Sequence, residues 1–333
     1  MTLPWLNNTW QRLNRTRVQG RLPHALLLRG PEGIGKQKLA QELAESLLCE
    51  HTNEEGRVCG QCKSCGWLRA GTHPDLLYLQ PKEAGKAIKV DQVRELGSNL
   101  SMTSHGGRYK VAIIVPADAM NVHAANSLLK TLEEPPQGTL LVLVTSLAGH
   151  LPQTIRSRCQ QVPIGLPAEP DATNWLQEQG MEAQLAIRSL LLSRGAVLNA
   201  LTLVEKGALD GYDQQLTQLA RLRTGDILPS QLAKEWSGDN ERQILEWWLS
   251  WVHDLIVWKQ AGKQPLDQQT ARNLQELAET VDCRRLFDFS GKLTEALNSL
   301  GSGLVRQLIL EDLLISWSRL ANQGSKPLLH TRK

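Results

Sequence analysis

His24-Ala-Leu-Leu-Leu-Arg-Gly-Pro-Glu-Gly-Ile-Gly-Lys-Gln37 decides how this chain of 333 residues is read. The apolar run 24–29 has the length and make-up of a short buried strand. It passes at once into a loop that matches G-x-x-x-x-G-K-[ST] at every position but the last. A helix follows, with Leu39, Leu43, Leu47 and Leu48 spaced for one face. Strand, glycine loop and helix in that order make a phosphate cradle, which gives the match its specificity. Gly30, Gly33 and Gly35 let the backbone wrap an anion. The loop N–H groups and the helix N-terminus face it. Lys36 then reaches the outer phosphates. The eighth position calls for Ser or Thr, whose hydroxyl holds Mg²⁺. Gln37 stands there, and its amide oxygen sits on a longer, floppier arm.

The second half of such a site is an acidic pair at the end of a later strand. The strand beginning at Lys110 leads into Val115-Pro116 instead. A metal ligand and the water-activating carboxylate are therefore both missing. Asp118 lies three residues beyond the strand end, where capping the next helix is the expected job. Phosphoryl transfer rests on the metal and a positioned nucleophile, so intrinsic hydrolysis is not expected. Two states of the loop fit these residues. It is a leftover turn without a ligand, or it retains ATP or ADP without turning it over.

Outward from the loop, strands and helices alternate. Residues 75–79 read as a strand, 90–102 as a helix opened by Asp91, and 110–115 as a strand. A helix is expected over 119–133, stopped by Pro135 and Pro136. Residues 139–145 form a largely apolar strand of the kind buried in a parallel sheet. The pattern predicts an α/β doubly wound domain. After 165–170 the strand signals fade. Two or three short helices are expected over 171–205, and only helices from Tyr212 onward. Ile244, Trp247, Trp248, Trp251, Val252, Leu255 and Trp258 form one wide apolar stripe. Leu308, Ile309, Leu313, Trp317 and Leu320 form another. Five of the ten tryptophans fall in 236–258. They fit an ordinary helical core, or in part a surface packed on partner subunits.

Four of the six cysteines, Cys49, Cys59, Cys62 and Cys65, crowd into seventeen residues. Tetrahedral zinc takes four soft ligands at about 2.3 Å, and C-x2-C-x2-C supplies three from one turn region. Cys49, ending the preceding helix, supplies the fourth. A closed four-thiolate shell makes the zinc structural. An iron–sulfur cluster is the competing occupant. Cys159 stands alone, and Cys283 reads as a small buried apolar residue.

Composition narrows the function classes. With 37 basic and 34 acidic residues the net charge is +3, which excludes a polybasic tail binder and an acidic disordered chain. The longest apolar runs fall far short of the ~20 residues a membrane span needs. Residues 1–20 lack an apolar signal core. Arg12, Arg15 and Arg17 without an acid fit a transit peptide, but an amphipathic first helix with Trp5, Leu6, Trp10 and Leu13 on one side is preferred. A cytoplasmic location is expected.

Several motifs together resemble the delta-prime clamp-loader family of bacterial DNA polymerase III, of the AAA+ class. They are His24-Ala-Leu-Leu-Leu28, the loop from Gly30 to Lys36, and the four-cysteine insertion. Gly71-Thr-His-Pro-Asp75, Ala124-Ala-Asn-Ser-Leu-Leu-Lys-Thr-Leu-Glu-Glu-Pro-Pro136 and Ser157-Arg-Cys159 complete the set. They span most of residues 1–165; the helical remainder matches in layout more than in motif. The resemblance implies an AAA+ nucleotide-binding-type domain over 1–166, with a zinc module at 49–66. It also implies a helical lid over 167–207 and a helical collar over 208–333. It places Thr145 at the first sensor position and Leu198 where the family carries a second-sensor arginine, in keeping with a dead ATP site. It matches Arg158 to the residue that reaches a neighbour's ATP site.

Taken on their own, the residues around Arg158 favour a solvated surface pair, and it is the family match that turns the reading to the finger. Thr154-Ile-Arg-Ser-Arg-Cys159 offers Arg156 and Arg158 just after a buried strand, at a domain edge. A guanidinium against a γ-phosphate stabilises transition-state charge; a lone arginine is otherwise a solvated surface pair. The implied role is a non-hydrolysing stator that helps load the sliding clamp onto primed DNA. The implied partners are the delta and tau/gamma subunits, and the DNA polymerase activity is that of the holoenzyme. An active P-loop ATPase with unusual metal ligation is one alternative. A zinc-ribbon nucleic-acid binder is another, for which Lys63 and Arg69 beside the cluster are few.

Overall fold

A computed structural model describes residues 3–83, 85–106, 109–238, 241–265, 267–299 and 306–322. The chain divides into two compact units, one ending at Leu201 and the other starting at Thr202.

The first unit opens with a 3-10 turn, Pro4–Leu6, and α1 (Asn7–Val18), which buries Trp10 and Leu13. β1 (Ala25–Arg29) runs through the loop into α2 (Lys36–Leu48). The cysteine insertion holds α3 (Lys63–Arg69). β2 (Leu76–Leu79), α4 (Val90–Ser101), β3 (Lys110–Ile114), α5 (Val122–Glu133) and β4 (Thr139–Thr145) then alternate. A short α6 (Gln153–Arg156) leads to β5 (Gln160–Pro163). All strands pair parallel in the order β2-β3-β4-β1-β5, with Ala25 opposite Leu141 and Leu26 opposite Gln160. β1 lies between β4 and β5 rather than beside β2, so the parallel crossovers place helices on both faces. That explains why β3 and β4 are buried at every position and apolar apart from Lys110 at the start of β3 and Thr139 and Thr145 at the ends of β4.

Side chains alternate across the sheet. Leu27, Ala112, Ile114, Leu141 and Leu143 join Val93, Leu96 and Leu100 of α4 and Leu128 and Leu132 of α5 in one apolar cluster. α2 packs on the sheet as well, with Leu39 and Leu43 wholly buried. Because every strand is parallel, all carboxyl ends lie along one edge. The glycine loop after β1 and Thr145 at the end of β4 meet there, where ligands bind in such sheets.

Two boundaries differ from expectation. The helix expected over 119–133 begins at Val122, because the Asn121 side chain accepts from the Ala124 N–H at 2.8 Å and caps it. Asp118 is therefore not a cap; a 3-10 turn, Ala117–Ala119, carries it toward β4. The fifth strand was not anticipated. Only Val162 of Gln160–Pro163 is buried, so no alternation marks it.

Beyond β5 come α7 (Glu169–Glu178), α8 (Ala183–Leu192) and α9 (Val197–Glu205), the last running across the division between the units. The second unit continues with α10 (Ala208–Thr224), α11 (Pro229–Trp236), α12 (Glu241–Ala261), α13 (Gln268–Thr280), α14 (Cys283–Ser299) and α15 (Arg306–Asn322). Trp236, Trp247, Trp248, Trp251 and Trp317 belong to its core, and Trp258 is half-buried. Trp248 packs at 5.6 Å from both Trp236 and Trp317 and 5.3 Å from Phe289, and Tyr212 lies 5.1 Å from Trp251. Edge-on aromatic contacts of this kind add to the burial of the rings themselves. On α15 the buried face is Leu310, Leu313, Leu314 and Trp317; Leu308, expected in the stripe, is exposed. Cys283 is half-buried rather than buried.

Candidate functional site

Positive φ at Gly33 (+72°) and Gly35 (+89°) gives the loop the left-handed turns its sequence calls for. Lys36 is the first residue of α2 and is buried. Its ammonium donates to the Pro31 carbonyl within the loop and, at 3.1 Å, to the Ser146 hydroxyl. Burial lowers its pKa, while the Glu32 and Asp118 carboxylates raise it. Gln37 follows on the helix, and Val115-Pro116 ends β3 without an acid. Thr145 donates its hydroxyl to the Asp118 carboxylate and accepts from the Leu147 N–H at 3.0 Å. An acid does therefore stand beside the loop, at a position the sequence motif does not mark. Its nearest bonded partner is a hydroxyl of its own chain.

The four cysteines converge, with all four sulfurs within 4.8 Å of one another. Cys49 Sγ lies 3.6 Å from Cys59, 3.9 Å from Cys62 and 3.5 Å from Cys65, and Cys59 lies 3.8 Å from Cys65. Four sulfurs at about 2.3 Å around one tetrahedral ion stand about 3.8 Å apart. Backbone N–H groups aim at the sulfurs: Cys59 donates to Cys49 at 3.3 Å, and Cys65 to Cys62 at 3.4 Å. The N–H groups of Gln61 and Cys62 pull the Cys59 thiol down to about 6, while burial pushes Cys65 up to about 12 and also raises Cys49. Four thiolates in so small a space need a cation to balance them. The donor set and its spacing fit a metal ion such as zinc.

The module is anchored on both sides. The Trp10 indole and the Asn14 amide both donate to the Glu55 carbonyl, at 3.1 and 3.2 Å. Arg57 pairs with Glu42 at 2.8 Å and lies over the Trp10 ring. On the other side, Ser64 Oγ donates to the Leu48 carbonyl at 2.6 Å and meets His73 Nε2 at 2.9 Å. Ser64, His73 and Asp75 have the residue types of a nucleophilic triad but not its wiring. His73 Nδ1 accepts from the Asp75 backbone N–H at 3.1 Å, so its proton sits on Nε2 and is donated to Ser64. Buried Asp75 instead accepts from the His105 and Gly106 N–H groups at 3.0 Å each. Lys63 lies over the Trp67 ring and Arg69 donates to the Gly60 carbonyl at 2.7 Å, so these two cations are engaged within the module.

Arg158 follows α6 on an exposed turn. Its guanidinium donates to the Thr154 carbonyl at 3.1 Å and pairs with Glu133, at the end of α5, at 2.7 Å. Arg156, in contrast, is half-buried. Cys159 between Arg158 and β5 is buried, and burial pushes its thiol up to about 11.

Comparison with known proteins gives this arrangement a family. The model of "DNA polymerase III, delta subunit" matches residues 5–167, and its C-terminal counterpart matches 206–319. The DNA polymerase III subunit delta' of Pseudomonas aeruginosa is 35% identical over 96% of this chain and 98% of its own length. The subunit delta' of Escherichia coli K12 is 31% identical over 94% of each chain. The chain belongs to the DNA polymerase III delta-prime family. The Escherichia coli subunit tau is also similar, 34% identical over 62% of this chain and 33% of tau.

The segments that carry the delta-prime resemblance meet in space. His24, before β1, bonds the Leu132 carbonyl at 3.1 Å, joining the first motif to the Leu-Glu-Glu-Pro-Pro end of α5. The same end of α5 holds Arg158 through Glu133. Gly71-Thr-His-Pro-Asp75 joins the cysteine module to β2. The sequence places Asp118 only as a helix cap and Glu133 only within the Leu132-Glu-Glu-Pro-Pro136 motif; no spacing rule marks their bonds to Thr145 and Arg158, or the His73–Ser64 link.

Proposed function

We propose that this chain is a non-hydrolysing subunit of the DNA polymerase III clamp loader. It works with delta and tau/gamma subunits to place the sliding clamp on primed DNA. In this reading residues 1–166 form an AAA+ domain, 167–207 a lid and 208–333 a collar that holds subunits together. The cysteine module carries one structural zinc ion.

The observation that carries the reading is the state of the phosphate loop. Gln37, Val115 and Pro116 leave no hydroxyl and no acid pair for Mg²⁺, and Lys36 is spent on Pro31 and Ser146. Without a metal and a positioned water, the loop's remaining N–H groups do not add up to catalysis. Any catalytic contribution must then act on another chain. Arg158 fits that role: it is exposed, on a turn before the edge strand β5, and held by one surface pair and one backbone carbonyl. In trans, its guanidinium would neutralise charge developing on a neighbour's γ-phosphate, a role in which the planar fork matters. The test is reconstitution with delta and tau/gamma partners. The expected result is clamp- and DNA-stimulated ATP hydrolysis that falls on Arg158→Ala while assembly by gel filtration is retained.

A second reading, an ATPase with unusual metal ligation, draws on Asp118 beside Thr145 and Lys36. It requires the Asp118 carboxylate to leave the Thr145 hydroxyl for a metal ion. ATP turnover by the isolated chain, lost on both Lys36→Ala and Asp118→Asn, would favour it.

A further inference from the structure

The chain carries five arginines before its first acid, Glu32, although acids and bases are nearly balanced over its whole length. Three of those arginines fall on α1, and the fold sorts them. Trp10 and Leu13 turn to the core. Arg17 turns the same way: it is half-buried, donating to the Asn14 side chain at 3.0 Å and to the Ser46 carbonyl at 3.1 Å. Asn8, Arg12, Arg15 and Gln19 follow one another at steps of four, three and four, so they form one stripe along the helix. All four are exposed, and so is Arg21 in the turn after the helix. Among the described residues, no carboxylate pairs with Arg12, Arg15 or Arg21. Favourable interaction with the helix dipole accounts for cations in the last turn, which includes Arg15, but not for Arg12 a turn earlier. On the flank toward the cysteine module, Glu54 and Glu55 line a groove with Asn7, Gln11 and Arg15. Acids border the stripe there, so the donor face is the stripe itself and not the groove.

We propose that Asn8, Arg12, Arg15 and Gln19, with Arg21 beyond the helix end, dock the phosphodiester backbone of duplex DNA without regard to sequence. Guanidinium forks and side-chain amides are the groups that donate to phosphate oxygens. The stripe runs about 16 Å along the helix, a length over which one strand of a duplex presents several phosphates. It holds no aromatic ring on which an unpaired base could stack, which favours a duplex over a single strand. Three guanidinium groups give weak, salt-sensitive binding on their own. Their contribution rises when other contacts of an assembly already hold the DNA, because this one is then made within the complex. The proposal rests on the clamp-loader reading for the occasion to meet DNA. The two fail separately, since Arg158→Ala is scored by ATP hydrolysis and the α1 face by DNA binding.

The test is fluorescence anisotropy of a labelled duplex of about 30 base pairs, titrated with the full-length chain between about 50 and 200 mM salt. Affinity should fall with salt at a log–log slope of about −3, from the counterions displaced by three arginines. Changing Arg12→Gln, Arg15→Gln and Arg21→Gln together should weaken binding at least about 10-fold at the lower salt and flatten the slope by about 2 to 3. Gln keeps the helix propensity of Arg, so circular dichroism should not change. Should the triple variant fold poorly, Arg12→Gln alone gives the same readout, with a slope change of about 1. The control is Lys234→Gln, Arg242→Gln and Arg272→Gln, three exposed cations of the second unit whose removal costs the same net charge. It should change affinity less than about 3-fold. Equal losses in both triple variants would overturn the proposal by reducing the effect to net charge. No loss in the α1 variants would also overturn it. So would α1-dependent binding that is tighter to single-stranded DNA or to oligoglutamate than to the duplex, the last marking a face for an acidic protein segment.

Discussion

The phosphate loop and the cysteine module are both motif-bearing turns in the first unit, and they have fared in opposite ways. The loop keeps its glycines, its left-handed turns and its lysine, but the groups that hold metal are gone and the lysine is bonded to Pro31 and Ser146. The module keeps all four donors at tetrahedral spacing and adds backbone N–H groups aimed at the sulfurs. The difference teaches that backbone shape and ligand chemistry separate easily. A loop can be retained because strand, turn and helix need it for packing. Four convergent thiols have no such packing reason, because burying them without a cation is costly.

The largest effect that tests this contrast is on the module. Cys62→Ser should release the metal outright, since structural zinc contributes on the order of 10 kcal/mol to folding of small domains. Metal analysis should fall from one ion per chain to none, and residues 49–69 should become protease-sensitive. Far-ultraviolet circular dichroism should show that the sheet survives, because the module is an insertion. A metal-free unmodified protein purified under reducing conditions would break the comparison from this side.

Next in size is Arg158→Ala. Fingers supplied to a partner's site are worth about 10³-fold or more in rate. The reconstituted complex should show a smaller net loss, since sites served by other subunits keep theirs. Arg158→Lys should rescue poorly. Unchanged steady-state hydrolysis by a fully assembled mutant complex would remove the finger role.

Gly33→Ala sharpens the loop's side of the contrast. It forces a side chain into a left-handed turn and against Asn199, and should cost about 1–3 kcal/mol of stability by chemical denaturation. The rate of ATP hydrolysis by the reconstituted complex should not fall with it. Lys36→Ala should change that rate less than about 2-fold, because the ammonium serves Pro31 and Ser146 rather than a nucleotide. A large loss in either variant would return the loop to the ranks of working ATP sites. Smallest of all is Glu133→Gln, which removes a surface pair worth about 0–1 kcal/mol. Thermal unfolding should barely move.

Much of the first unit was legible from residues alone. β1, the loop and α2 were readable because one motif fixes three consecutive elements. β4 matched residue for residue, since a strand buried on both faces is a plain apolar run bounded by Pro135-Pro136 and Ser146. β5 was illegible because it has only one buried residue and is defined by the ladder that β1 extends to it. Asp118 was misread as a cap because its role depends on Thr145, 27 positions away. The tryptophan stripe on α12 was read correctly as apolar, but its spacing is the same whether it packs on its own unit or on a partner. The contacts of Trp248 with Trp236, Phe289 and Trp317 place it in the core of its own unit.

What the sequence determined by itself was local: where most strands and helices run, that the loop turns at glycines, that Gln37, Val115 and Pro116 stand where the motif calls for a hydroxyl and an acid pair, and that four thiols lie close along the chain. Those properties follow from residue type, period and spacing. Only the tertiary structure decided which groups face each other. It set the sulfurs about one ion apart, wired His73 to Ser64 as a structural link, and bonded the Trp5 indole to the Ile34 carbonyl of the loop. The His73–Ser64 link spans 9 positions and the Trp5–Ile34 bond 29. Their geometry depends on how the sheet and helices pack, and no local pattern in the chain encodes it.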